Sequence, residues 1–172
     1  MADAEREFVE YVSARLPRLH RTAFLMCGDA HLADDVVQQT ITALYVNWRR
    51  VSHADNVDAY VHRMLVHKLV DEKRLSWAKV RLLGWMPEPE RPPVMPHDDD
   101  LAERDNLLAA LARLPRGQRT VLVLRFLCDL SLADTAAAMG CSEGNVKSQT
   151  ARALVTVRQV LDVPEMSGRN SR

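Results

Sequence analysis

Apolar residues recur at helical spacing along most of the chain, and they fall into two blocks. From Phe8 to Met26 they stand three or four apart, with Pro17 interrupting the run. Proline has no N–H to donate and clashes with the preceding turn, so a break in the helix is expected there. Cys27-Gly28-Asp29 ends the pattern. A second helix is predicted from about His31 to Arg50, with Val36, Val37, Thr40, Ala43 and Leu44 as its buried stripe. Val51 to Asn56 reads as a polar loop. A third helix runs from near Val57 to about Leu75, with Val61, Met64, Leu65 and Leu69 on one face and Arg63, His67 and Arg74 on the other. The second block predicts four shorter helices: Asp105 to Leu114, Gln118 to Cys128, Leu132 to Met139, and Glu143 to about Leu161. Pro115-Arg116-Gly117 separates the first two of these.

Between the blocks the pattern stops. Five of the eight prolines lie between Pro87 and Pro96, and Asp98-Asp99-Asp100 follows. Proline restricts the residue before it as well as itself, so no helix continues through this stretch. The expected fold is therefore all-α: two small helical domains over 1–83 and 105–162, joined by a flexible, acidic, Pro-rich linker over 84–104. A disordered tail is expected over 163–172.

Composition agrees with packed helices. Hydrophobic residues make up 47% of the 172, enough for a core, and aromatics only 5%. No apolar run approaches the roughly 20 residues needed to cross a bilayer. The N-terminus, Met1-Ala2-Asp3-Ala4-Glu5-Arg6-Glu7, is acidic where a secretory signal is basic and then apolar. A cytoplasmic location without membrane insertion is expected. Cys27, Cys128 and Cys141 include no C-x-x-C pair, which argues against a disulfide framework or zinc knuckle. There is no P-loop, nucleophile elbow or metal-ligand cluster, so neither an enzyme nor a cofactor or metal is expected.

The net charge of zero conceals an asymmetry. Residues 1–86 hold 12 basic and 11 acidic side chains, 87–105 hold 2 and 7, and 106–172 hold 9 and 5. A mildly basic C-terminal module thus follows an acidic linker.

The sharpest local pattern lies in that module. A small residue, Ala136, stands where two steeply crossing helices would touch. Gly140, four later, suits a turn that needs positive φ, and Val146, six further on, packs back onto the first helix. Ser142 is placed to cap the second helix. This is the spacing of a DNA-reading helix-turn-helix. Asn145, Lys147, Ser148, Gln149 and Arg152 occupy the outer side of the second helix, where side chains meet phosphates and base edges. An ordinary helical hairpin with a solvated polar face would share part of this pattern.

Two segments together resemble the extracytoplasmic-function sigma factors, the compact sigma group with only regions two and four. Ala33-Asp34-Asp35-Val36-Val37-Gln38-Gln39-Thr40 resembles the region-two signature of an acidic pair, two aliphatics, Gln, Glu and Thr, with Gln39 in place of the usual Glu. Trp48 sits where the family has an aromatic, and Asn56 to Met64 resembles the start of the minus-ten-reading helix. In the C-terminal block, Leu114-Pro115, Gln118-Arg119 and Val146-Lys147-Ser148 resemble region four.

The resemblance implies a transcription initiation factor that brings RNA polymerase core to promoter DNA. It assigns Asp34, Asp35, Gln38, Gln39 and Trp48 to docking on core, which in the family engages the largest-subunit coiled coil and the flap. It assigns Arg49, Arg50, Asn56, Arg63, His67 and Arg74 to the melted minus-ten strand. His67 stands where the family commonly has Asn. The minus-thirty-five element falls to Arg119, Ser142, Asn145, Lys147, Ser148, Gln149 and Arg152. Tyr60 reads as core, and Lys68 falls near the apolar stripe. An anti-sigma factor is a further partner the family suggests. A helix-turn-helix regulator acting without polymerase is the alternative, and it predicts tight operator binding as a symmetric dimer.

Overall fold

The computed structural model describes residues 2–83 and 101–161, with the side chains of 2, 73–83 and 101–105 not described. Seven helices are present among the described residues: α1 (Ala2–Cys27), α2 (Ala30–Val51), α3 (Val57–Leu83), α4 (Leu101–Ala112), α5 (Arg116–Leu122), α6 (Leu132–Met139) and α7 (Glu143–Leu161). The segment expected as linker lies largely outside the described residues. Its last four positions do not: α4 begins at Leu101 rather than at Asp105. The expected tail also lies outside.

Contrary to the sequence expectation, α1 runs unbroken through Pro17. Proline in a helix interior costs about 3 kcal/mol, partly because the carbonyl four residues back loses its partner. Here that carbonyl belongs to Ser13, and Ser13 and Pro17 are both exposed, so water can satisfy it. Leu19, Ala23 and Met26 are buried on the inward side and hold the helix in place. α1 ends at Gly28, whose φ is +73°. Asp29 then caps α2, its Oδ1 accepting from the Leu32 N–H at 3.0 Å.

The N-terminal module is three helices packed in sequence order, α1 on α2 and α2 on α3. The inward stripe of α2 is Ala33, Val36, Val37, Thr40, Leu44, Trp48 and Val51. Thr40 is fully buried and donates its hydroxyl to the Val36 carbonyl at 2.7 Å, which avoids an orphaned polar group. In the C-terminal module α4, α5 and α6 pack on α7.

The predicted single helix from Gln118 to Cys128 instead starts at Arg116, and after Leu122 it widens into a π turn over Val123–Leu127. The Cys128 N–H reaches the Val123 carbonyl, five residues back, at 3.0 Å. Phe126 and Leu127 are left exposed at this turn, while Val123 and Leu124 stay in the core.

The two modules also share a core. Val123, Leu124, Cys128, Leu130 and Ala138 belong to the same buried cluster as Leu19, Ala23, Met26, Val66 and Leu69. α3 packs against α6, and α1 packs against α5 and the π turn.

Candidate functional site

The α6–turn–α7 unit is built as its sequence requires. Ala136 and Val146 are buried together with Val121, so the two helices meet on α5. Gly140 closes α6 with φ +66°, and its N–H reaches back to the Ala136 and Ala137 carbonyls. A β-carbon there would be strained by the backbone alone. Ser131 caps α6 by accepting from the Asp134 N–H at 3.0 Å, and Ser142 caps α7 by accepting from the Asn145 N–H at 3.1 Å. These contacts orient the first turns of α7 outward. Ser142, Asn145, Lys147, Ser148 and Arg152 are exposed, and Gln149 is half-buried. A helix offering these donors, with Gly144 permitting close backbone approach, can lie in a major groove.

Arg119 departs from this set. It is buried, and its Nη2 donates to the Ala112 and Leu114 carbonyls at 3.3 and 3.4 Å. These carbonyls lie at the C-terminal end of α4, where helix geometry supplies no donor. Arg119 holds α4 onto α5 and is not offered to DNA in this arrangement.

On the N-terminal module, Asp34, Asp35 and Gln38 form an exposed row along α2. Asp34 lies 3.0 Å from His20 Nδ1. An open cleft of about 470 Å³ borders this row, lined in part by Asp35, Gln38, Gln39, Val46 and Lys68. Val46 is 77% exposed, an apolar centre within a polar rim. Sequence reasoning set Lys68 aside because it adjoins the apolar stripe of α3, yet the fold brings it to this cleft. Gln39 is half-buried and donates its amide to Glu72 Oε1 at 2.7 Å, tying α2 to α3.

Trp48 is not part of this face. It is 5% exposed and packs edge-on against Phe8, with ring centres 5.5 Å apart, and against Tyr11 at 5.2 Å. It follows Thr40 and Leu44 at intervals of four, so the stripe that buries them buries it too.

Of the residues expected at the minus-ten strand, Arg49, Arg50 and Asn56 lie at the α2–α3 corner, and Arg63 and His67 lie further along α3. Arg49, Arg50, Asn56, Arg63 and His67 are all exposed. Arg74 lies on α3, but its side chain is not among those described. Asn56 caps α3, its Oδ1 accepting from the Ala59 N–H at 2.9 Å. Arg50 donates to the Tyr60 hydroxyl at 2.7 Å. Tyr60 is therefore only partly in the core, and its hydroxyl orients a cation at the loop edge. A second open cleft, about 440 Å³, runs from Glu5 and Phe8 past Tyr45 and Val46 to Arg49 and Arg50.

Sequence reasoning missed one polar cluster. Asp58 Oδ1 accepts from the Tyr11 hydroxyl and from Arg15 Nε, both at 2.6 Å. Burial would raise the Asp58 carboxyl, but the Arg15 and Tyr11 hydrogen bonds and the Arg15 charge outweigh it and hold it below the ordinary value. Beside it, His62 is buried, with Nδ1 2.6 Å from the Asp58 carbonyl and Nε2 without a partner. Burial pushes the imidazole below its ordinary pKa. The signal available in sequence was a histidine at a position between two apolar faces of α3.

With this geometry in view, the comparisons with known proteins are decisive. Residues 11–78 match the model for Sigma-70 region 2, and residues 104–157 match Sigma-70, region 4. The RNA polymerase sigma-E factor of Streptomyces coelicolor is 34% identical over 166 residues, covering 95% of this chain and 90% of the relative. The chain belongs to the RNA polymerase sigma factors. The ECF RNA polymerase sigma factor SigM of Mycobacterium tuberculosis is 32% identical over 147 residues, 84% of this chain and 71% of the relative. This places the sigma factor in the extracytoplasmic-function group, whose members direct polymerase to promoters. In fold it is similar to a solved sigma factor, RpoE in complex with the anti-sigma factor NepR from Bartonella quintana. The TM-score is 0.81 at 23% identity, over 92% of this chain and 98% of that one. No helix among the described residues is long and apolar enough to cross a membrane.

Proposed function

We propose that this sigma factor, a non-catalytic cytoplasmic subunit, docks on core RNA polymerase through the Asp34–Asp35–Gln38 face of α2. The same reading gives the minus-ten strand to the α2–α3 corner and the first turns of α3, where Arg49, Arg50, Asn56, Arg63 and His67 are exposed. It gives the minus-thirty-five element to the first turns of α7. Arg74 remains with the minus-ten group by its place on α3. Lys68 joins the docking face, and Trp48 and Arg119 leave their groups because both are buried.

The carrying observation is the cap-and-turn geometry that leaves Asn145, Lys147, Ser148 and Arg152 outward on α7. A groove-reading helix needs its polar first turns free and its opposite side anchored. Acidic α2 residues around the exposed Val46 fit a partner with basic groups surrounding an apolar contact. An anti-sigma factor is a fitting further partner, since the similar Bartonella quintana RpoE is described in complex with one.

The test is reconstitution. Purified chain added to core polymerase should yield promoter-specific transcripts whose start sites shift with the promoter, and it should co-purify with core. No binding to core would sink the reading.

A further inference from the structure

The docking row on α2 is one acid short. After Asp34 and Asp35 the family pattern has a further carboxylate, at the position where this chain has Gln39. A neutral amide there removes one charge from a face that fits basic groups. The fold brings a carboxylate to the same place from another helix. Gln39 lines the open cleft with Asp35, Gln38 and Val46. Its amide donates to Glu72 Oε1 at 2.7 Å. The Glu72 carboxylate is thus held one hydrogen bond away from the tip of the side chain that replaces the family's acid.

Glu72 is suited to face a partner from there. Its side chain is half-buried, so it is not sealed in the core. The bond to Gln39 uses Oε1, one of two oxygens, and an ionised carboxylate accepts several hydrogen bonds. Lys68 stands four residues earlier, on the same face of α3, and it lines the cleft. Among the described residues Lys68 makes no ion pair with Glu72, so the acid is not neutralised from within the chain. The Gln39 donor also holds the carboxylate in one orientation, which lowers the entropy lost when a partner binds it.

We propose that Glu72 is a specificity-determining residue of the docking face. It supplies from α3 the carboxylate that α2 lacks, and it meets a basic side chain of core polymerase. Gln39 is the positioning residue that holds it there. This rests on the docking role proposed above. The face keeps the family's count of acids, while one of them moves to the next helix. A bond that only tied α2 to α3 would matter to stability and not to core binding.

A charge exchange separates the two roles. Glu72→Gln removes the charge but keeps a carbonyl that can accept from Gln39. Gln39→Glu combined with Glu72→Gln reverses the bond and returns the carboxylate to α2. Labelled full-length chain is titrated with core polymerase over a range of salt, with melting temperatures as the folding control. Glu72→Gln should lower the affinity roughly five-fold at low salt, mainly through slower association, and should weaken the salt dependence. The exchanged chain should recover most of both losses. Parent-like binding by Glu72→Gln would overturn the proposal, and so would an exchanged chain as weak as the single variant. Lower affinity with an unchanged salt dependence would make Glu72 a helix tie only and would overturn it too. Asp34→Asn with Asp35→Asn is read in the same titration. If that chain binds like the parent, or if the parent does not bind core, the docking role falls instead.

Discussion

In the N-terminal module several polar residues near the candidate interfaces are already engaged. Asp34 faces His20, Gln39 holds Glu72, Arg50 holds Tyr60, and Asp58 takes both Tyr11 and Arg15. On α7, by contrast, no side-chain hydrogen bond ties Lys147, Ser148 or Arg152 among the described residues. A pre-ordered surface loses little side-chain freedom on binding, whereas each freely rotating chain costs about 0.5–1.5 kcal/mol when it is fixed. On the function proposed above, the engaged part of the first module would meet a protein partner of fixed shape, and the free side chains of α7 would meet duplex DNA, where mobile cations follow phosphates and binding is salt-dependent.

The comparison breaks most visibly if the α2 row is reversed. Asp34→Arg with Asp35→Arg should lower affinity for core polymerase by roughly 30-fold or more, since like charges placed across an interface cost several kcal/mol. Titration of labelled chain with core measures this, and the melting temperature serves as the folding control. An affinity within a few-fold of the parent would remove α2 from the docking surface.

A smaller effect is expected on the DNA side. Lys147→Ala with Arg152→Ala should reduce promoter selection by about ten-fold and flatten the salt dependence of DNA binding by about two phosphate contacts. Core binding should not change. If the salt slope stayed the same, these side chains would not be the phosphate contacts, and the contrast between the modules would lose its electrostatic basis.

How much of this was legible in the sequence depends on what periodicity can report. It gave the all-helical character, the buried stripe of α2 except for the half-buried Ala43, and the caps at Ser142 and Gly140, because each follows from local spacing or backbone chemistry. It shows which face of a helix is apolar but not what covers it, so the core that the modules share through Cys128, Leu130 and Ala138 was invisible. Trp48 was within reach, since counting by fours from Thr40 buries it. Arg119 was not, because its partners are carbonyls at the end of α4, a helix whose angle to α5 no local pattern sets. Pro17 misled for a related reason. The rule that proline breaks helices supposes that the lost carbonyl partner matters, and at exposed Ser13 it does not.

The Asp58 cluster tests whether the N-terminal module is pre-ordered. Asp58→Asn should lower stability by about 1–2 kcal/mol, a moderate figure because Arg15 and Asp58 are both partly solvated. The pH dependence has a definite sign. The folded-state carboxyl lies below its ordinary value, so its contribution is complete above the ordinary carboxylate range and is lost as pH falls through the folded value. Acid unfolding should therefore be shallower at its low-pH end in the variant. His62 acts in a higher window. Its imidazole is faced by Tyr11, Arg15 and Arg18 of α1, by Asp58 of α3, and by Cys128 of the C-terminal module. Burial keeps it neutral, so the unfolded chain takes up the proton first, and stability declines as pH falls from about 6.5 toward the folded value. His62→Gln should remove that slope, read from denaturant midpoints across the range.

The smallest effect sharpens the comparison at a single bond. The family pattern has Glu where this chain has Gln39, and here the Gln39 amide donates to the Glu72 carboxylate at 2.7 Å. Gln39→Glu removes the donor and sets two carboxylates side by side, which should destabilise the chain by roughly 0.5–1 kcal/mol at neutral pH, with partial solvation limiting the repulsion. The loss should shrink in high salt and at acid pH, where one carboxyl takes a proton. Restoring the opposite charge with Glu72→Lys in the Gln39→Glu chain should recover most of it. Equal stability of the parent and the single variant at low salt would mean that Gln39 does not tie α2 to α3. It would then have to be counted with the free side chains, alongside those of α7, and not with the engaged ones.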